Sequence, residues 1–504
     1  MGVAPNLPTT MGLNAFSILA QTTAGAEYDT VRLVSVLALS IVLILVLILV
    51  FRIQAFVSLL LASIFVGIAS GTMPITEVAD TIIEGMGSSL GFIATIIGLG
   101  AILGQMIEHS GGAQSLANGM LKAFGEKRAN WAMLLTGFVI SIPVFLDVGV
   151  VILAPIIYAL ARRSGKSVLV FALPLLAGMA VTHAFVPPTP GPTFVAYALG
   201  APLGHAIMWG IVVGLPTALI TLPLCRKLGD AFHIDPPSLE EEKAADDGSV
   251  AIPSSTLPLP SLGLILLMLG GPIVLIVVGS IIEANLASSL PEGLSKAEWG
   301  AQLVQAKREA SGITQLVLFL GHPIVALLCG TCVAMMVLGM ARGLRGNALM
   351  EVATKALGPA GIIILITGAG GVFKQMLGAT NVGKALALAL GEFGMGPLLL
   401  AWILTTIVRI AQGSATVAMV TGAALIAPVL EGTGIDYSYA QLSLITLAIA
   451  AGATGFGHVN DSGFWIVNRY FGMTERETLL TWTPILTAIS LVGLSITSLL
   501  WLVV

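Results

Sequence analysis

The chain has 504 residues, of which 56% are hydrophobic and only 10% charged, and its formal net charge is −4. A soluble globular domain carries about 25% charged residues, so this composition excludes a soluble enzyme or binding module and defines an integral membrane protein. The basic residues are scattered rather than striped, which excludes nucleic acid as a partner.

A bilayer core about 30 Å thick needs roughly 20 apolar residues in a helix. Residues 1–30 form an N-terminal tail, predicted to be periplasmic, without the basic stretch that opens a cleaved signal peptide. Spans are predicted near 32–51, 54–71 and 91–108, and then an apolar stretch, 129–161, is long enough to enter and return. Pro143 and Asp147 lie at its centre, which predicts a re-entrant helical hairpin. The next stretch, 167–199, is interrupted by Thr182-His183 and by Pro187-Pro188-Thr189-Pro190-Gly191-Pro192-Thr193. Irregular backbone at membrane depth is tolerated only where protein buries it or where it lines a wet cavity.

A span near 204–224 closes the first half, 31–228. Residues 229–258 carry Asp235-Pro236-Pro237, Glu240-Glu241-Glu242, Asp246 and Asp247, the composition of a solvated cytoplasmic linker. The second half, 259–504, has spans near 260–282, 316–341, 359–377 and 479–503 and a polar extracellular loop or surface helix at 284–312. Its own hairpin is predicted at 396–430, with Arg409, Gln412, Gly413, Ser414 and Thr416 at the centre. Its broken helix, about 437–470, contains Gly455-Phe456-Gly457-His458-Val459-Asn460-Asp461-Ser462-Gly463.

Paired interruptions in corresponding places are the mark of a secondary transporter's binding site. Leu121-Lys122-Ala123-Phe124-Gly125 precedes the first hairpin as Leu390-Gly391-Glu392-Phe393-Gly394 precedes the second. Leu153-Ala154-Pro155-Ile156 closes the first as Ile426-Ala427-Pro428-Val429 closes the second, and His183 and His458 follow those prolines at similar distances. Placing Arg52, Lys122, Lys127, Arg128, Arg162, Arg163, Lys166, Arg226 and Lys227 inside puts the N-terminus outside, at the cost of leaving Lys374 and Lys384 outside. With that topology the two copies enter from opposite sides, an inverted repeat.

Asp147 and Asp461 are candidate proton carriers, or else partners that pin the structure. Arg409 can grip a carboxylate or be locked to Asp147 or Asp461 as an ion pair. A half-helix starting near Gly413-Ser414-Ala415-Thr416 would aim free N–H groups at an anion, with Gln412 beside it. The run from Pro187 to Thr193 plays the matching part, with Thr189 and Thr193 as hydroxyl ligands and Gly191 between them. His183 and His458 titrate near physiological pH and can relay protons, or simply bond a nearby carbonyl. Asn460 and Ser462 add polar ligands. Cys329 and Cys332 sit in apolar sequence with no second Cys or His pair of ligand spacing to accompany them, and Cys225 is the one other cysteine, so neither a metal nor another cofactor is expected.

Three runs carry a resemblance: Arg409-Ile410-Ala411-Gln412-Gly413-Ser414-Ala415-Thr416-Val417-Ala418, Gly457-His458-Val459-Asn460-Asp461-Ser462-Gly463-Phe464-Trp465, and Pro187-Pro188 with Pro190-Gly191-Pro192. In these the chain resembles the gluconate permease family of proton-coupled symporters, within the larger ion transporter superfamily, over most of its length outside the tail and the two polar loops. The resemblance implies a scaffold and a transport unit in a homodimer, and import of gluconate or a related acid such as glycerate or D-serine. The family pattern often has His where this chain has Thr189, and Glu where it has Asp147. Those departures bear on substrate size and proton handling, not on fold.

The expectation is therefore an all-α polytopic inner-membrane protein that imports a small hydroxy-monocarboxylate with protons. Sodium coupling on the same scaffold is the alternative, with Ser414, Thr416 and Asn460 as oxygen ligands. A membrane-embedded enzyme is more remote, since the sequence has no His-Glu-x-x-His and no phosphate loop. A passive anion channel is the other remote reading.

Overall fold

The computed structural model describes residues 30–237, 258–291, 296–385 and 396–504. The tail, most of the acidic linker and the landmark at 390–394 fall outside these. In chain order the helices are α1 Thr30–Leu49, α2 Ala55–Ser70, α3 Ile75–His109, α4 Gly112–Phe124, α5 Ala129–Ile140, α6 Leu146–Ser164, α7 Leu169–Phe185, α8 Pro190–Leu199 and α9 Leu203–Ala231. The second half has α10 Leu262–Ser288, α11 Lys296–Glu309, α12 Gly312–Leu320, α13 Pro323–Ala334, α14 Asn347–Ala379, α15 Pro397–Gln412, α16 Ala415–Thr433, α17 Tyr439–Thr454, α18 Ser462–Tyr470 and α19 Glu475–Trp501. Nine described segments are long and apolar enough to cross a membrane, counting α7 with α8 as one and extending α13 to Arg342. No described residue is in a strand.

The two interrupted helices form the centre. α7 and α17 are apolar on every side, and a helix without a polar face is surrounded on every side by protein or lipid; here it is protein, because nearly every residue of 169–186 and 443–454 is buried. α7 lies between α5 and α9, and α17 lies between α15 and α19. α6 meets α18, and α16 meets α8, so the second arm of each hairpin reaches the last segment of the other half's broken helix. Around them, α3 packs along α14, with α1 and α2 on one flank and α10, α12 and α13 on another.

Close approach of α5 and α7 depends on two glycines. A Cβ on Gly137 would stand 2.1 Å from the Leu175 carbonyl oxygen, and one on Gly178 would stand 2.1 Å from that of Leu134. Backbone cannot yield as a side-chain tip does, and the helices would have to part. Gly178→Ala is expected to cost about 1–3 kcal/mol, read as a lower melting temperature in detergent. Gly270→Ala, in α10 with nothing within 4 Å of its Cβ, should leave that temperature unchanged or slightly raised.

Candidate functional site

The second hairpin turns at Gly413 and Ser414. Gly413 has φ 90°, and a Cβ there would lie 2.1 Å from the Asn460 carbonyl oxygen, so the tip rests directly on the break between α17 and α18. The Ser414 hydroxyl caps α16 by accepting the Val417 N–H at 3.4 Å, and the Gln412 side-chain amide donates to the Ser414 carbonyl. Helix ends leave carbonyls without partners. At the end of α15 the break supplies them: Asn460 Nδ2 donates to Ile410 O at 2.8 Å and to Ala411 O at 3.3 Å, and His458 Nε2 is 3.1 Å from Ile410 O. His458 and Asn460 therefore hold the hairpin tip to the break.

Asp461 joins the two elements by charge. Its Oδ1 accepts the Gly463 N–H at 2.9 Å, capping α18, while Oδ2 takes Nη2 of Arg409 at 2.5 Å. The Arg409 side chain is 2% exposed and that of Asp461 13%. Arg409 Nε and Nη1, and Asn460 Oδ1, are buried without a partner. A buried guanidinium with two idle nitrogens is costly, which makes this the place where an acceptor is missing.

In the first half the hairpin turns over residues 141–145, and Asp147 is exposed in the first turn of α6. Thr182 Oγ1 donates to Phe138 O at 2.6 Å, fastening the end of α7 to α5 beside His183. The break contains a cis Pro187–Pro188 bond, and Thr189 Oγ1 donates to Val186 O at 2.7 Å. α8 then starts at Pro190. Its N-terminus matches that of α16 incompletely: Pro190 and Pro192 have no N–H, and Thr193 N–H is taken by Thr189 O at 3.1 Å, which leaves that of Gly191. The Thr193 hydroxyl is buried without a partner.

The halves converge on His183. Asp147, Asp461 and Arg409 all lie within electrostatic reach of it. Its Nδ1 and the Ser141 hydroxyl are buried without partners, and both residues line a cavity of about 20 Å³ together with Pro143 and Thr189. Such a volume holds about one water, able to bridge the two. Of the residues singled out in the sequence, the Arg409–Asp461 pair and Asp147 thus surround His183 in one polar hub, with Thr189 at the cavity beside it. Gln412, Gly413, Ser414, His458 and Asn460 build the joint on one side. Thr416 follows in the first turn of α16, and Ser462 is exposed at the start of α18. Ser141 was not anticipated, although its place beside Ile142-Pro143 at the centre of an apolar stretch was a usable signal.

Interrupted helices that bring buried charge together within a bundle of membrane-length apolar helices are the construction of a transporter, and the protein is a multi-pass transporter of the inner membrane. Residues 32–504 match the model of the GntP family permeases, and the chain belongs to that family. It is 36% identical to a gluconate permease of Pseudomonas aeruginosa, over 90% of this chain and 94% of the relative. It is also 36% identical to the inner membrane permease YgbN of Escherichia coli, over 94% of this chain and all of the relative. Among solved structures, the Alcanivorax borkumensis YdaH transporter shares the fold, with a TM-score of 0.52 at 15% identity over 83% of this chain and 87% of that one.

Proposed function

We propose that the protein is a secondary active importer of gluconate or a related small hydroxy-monocarboxylate, coupled to protons and working as a homodimer. The observation that carries this reading is Arg409, whose Nε and Nη1 are buried and idle while Nη2 is held by Asp461. A substrate carboxylate supplies the missing acceptor, with the N–H groups at the start of α16 and of Gly191 nearby. Hydroxyls of the acid meet Thr189, Thr193, Gln412, Thr416, Asn460 and Ser462. These nitrogens are out of solvent reach in this conformation, so the acid arrives only when hairpin and break part, as alternating access requires.

Proton coupling follows from an exchange of partners. Arrival of a carboxylate at Arg409 competes with Asp461, and protonating Asp461, with Asp147, His183 and His458 as relay groups, frees the guanidinium for the substrate. An inward membrane potential adds about 2.3 kcal/mol per net charge per 100 mV. The reading of the halves as inverted copies is supported by the like packing of α5, α7 and α9 and of α15, α17 and α19, and by the reciprocal contacts of α6 with α18 and α16 with α8. The relatives named gluconate permease support the substrate class.

Labelled gluconate and glycerate uptake into proteoliposomes is expected to saturate and to rise with an inward proton gradient. Gradient-independent uptake would remove the coupling. A requirement for sodium at fixed pH would replace the proton, and absence of counterflow would make the protein a channel.

A further inference from the structure

A second open space lies away from the hub, where α8 and α16 end and α17 begins. It is a cavity of about 720 Å³ walled by Tyr197, Trp299, Lys374, Glu431, Asp436 and Tyr439 among others. Another, of about 250 Å³, adjoins it between α3, α8 and α14, with Ser88, Ser89, Phe194 and Gln375 in its wall. Tyr197, Ala198 and Lys374 belong to both. Two bonds hold that shared boundary: the Tyr197 hydroxyl donates to Ser88 O at 2.5 Å, and Lys374 Nζ donates to Ala198 O at 2.7 Å. They tie the last turn of α8 to α3 and α14. The Glu431 carboxylate stands 3.8 Å from Nζ and is more than half exposed, so water weakens that pairing. From above, α11 brings Trp299 against Tyr439, with ring centroids 6.3 Å apart, and is anchored to α10 by Lys307 and Glu283 at 2.7 Å.

We propose that this boundary is an outer subsite where the hydroxy acid is held before it reaches the hub, an inference that rests on the importer reading above. Three kinds of group meet here. The Lys374 ammonium attracts a carboxylate, the rim carboxylates Glu431 and Asp436 and the Ser438 hydroxyl accept hydrogen bonds from alcohol groups, and the rings of Tyr197, Trp299 and Tyr439 offer faces for C–H groups. An inorganic anion would use the ammonium alone and would meet two carboxylates for nothing. A fatty acid would use the rings and leave the acceptors idle. A polyhydroxy acid uses all three. The distribution of Lys and Arg places this end of α8 outside the cell, the arrival side for an importer. The inner cavity follows α8 from Tyr197 back to Phe194, one turn from Pro190, where the hub's own cavity begins. An acid that draws Lys374 from Ala198 O releases the end of α8 on the same path.

The test is initial-rate uptake of labelled gluconate by intact cells. Loss of one charge-assisted contact is expected to raise KM about tenfold in Lys374→Met while Vmax holds, with Lys374→Arg recovering most of it. Because Lys374 also braces α8, Trp299→Ala serves as the second variant; only ring packing is lost there, and KM rises by a smaller factor. KM for efflux, approached from the other face, stays at the wild-type value in both. Wild-type uptake KM in both variants, or a fall in Vmax with KM constant, overturns the subsite. A binding measurement separates this from the importer reading. Detergent-purified Arg409→Gln/Asp461→Asn protein, whose hub has lost both charges without stranding either, should still show tryptophan quenching by gluconate that adding Trp299→Phe abolishes and that sodium phosphate does not produce. Absence of that quenching overturns the subsite, whereas quenching in a protein whose wild type takes up no gluconate overturns the importer reading alone.

Discussion

Asp461→Asn is expected to abolish gluconate uptake and to destabilise the protein by about 3–5 kcal/mol, the usual cost of stranding one partner of a buried ion pair. The Arg409 side chain is 2% exposed and has Asp461 as its carboxylate at 2.5 Å. With Nε and Nη1 already idle, neutralising Asp461 leaves a guanidinium with no opposite charge at contact distance among the described residues. Arg409→Gln leaves the milder fault, since Asp461 is less buried and keeps its cap on Gly463. The double variant separates structure from transport. If the pair only braces the fold, Arg409→Gln with Asp461→Asn recovers both melting temperature and uptake, because two neutral amides replace two charges. If Arg409 also receives the acid, the double variant recovers melting temperature while uptake stays roughly a hundredfold or more below wild type, the equivalent of about 2.7 kcal/mol. Thermal unfolding in detergent and uptake by the same preparations decide between them.

Where the sequence could be read, and where it could not, follows from what each residue reports about itself. The spans were legible because about 20 apolar residues in a row have no other solution in lipid. Their starts were not. α3 begins at Ile75, well before the apolar run from 91, because Glu77, Asp80, Glu84, Ser88 and Ser89 lower the hydropathy of a stretch that is helical all the same. α14 starts at Asn347 for a similar reason, with Glu351 and Lys355 in its first turns. The span expected at 316–341 is two helices, since Gly321 and His322 end α12 and Pro323 is suited to the first position of α13. The interruptions were legible from Pro, Gly and polar residues amid apolar sequence. The partners of their side chains were not: that Arg409 takes Asp461 rather than Asp147, or that Asn460 serves the last carbonyls of α15, depends on how chain segments about 50 residues apart are brought together. The donor shortage at the start of α8 lay in plain view in Pro190 and Pro192, yet it matters only once the helix is known to begin there.

Gly413→Ala is expected to reduce uptake by about two orders of magnitude with the ion pair untouched. Two penalties coincide at this position. A residue with a Cβ at φ 90° carries roughly 1–3 kcal/mol of backbone strain, and the added carbon would sit 2.1 Å from Asn460 O and 2.6 Å from Asn460 C. Neither atom can rotate away, so the hairpin tip must withdraw from the break by nearly the missing ångström. The bonds from Asn460 and His458 to Ile410 O, 2.8 and 3.1 Å long, are lost or stretched, and displacements of that size at a reacting or binding centre cost about a hundredfold. Gly434→Ala supplies the control. Gly434 has φ 66° at the end of α16, and nothing lies within 4 Å of its Cβ, so the same kind of strain arises there without a collision. Gly434→Ala should lower the melting temperature while retaining uptake, whereas Gly413→Ala should lose uptake beyond what its stability loss explains. Equal transport in the two variants would mean that contact between the second hairpin and its break does not govern substrate binding.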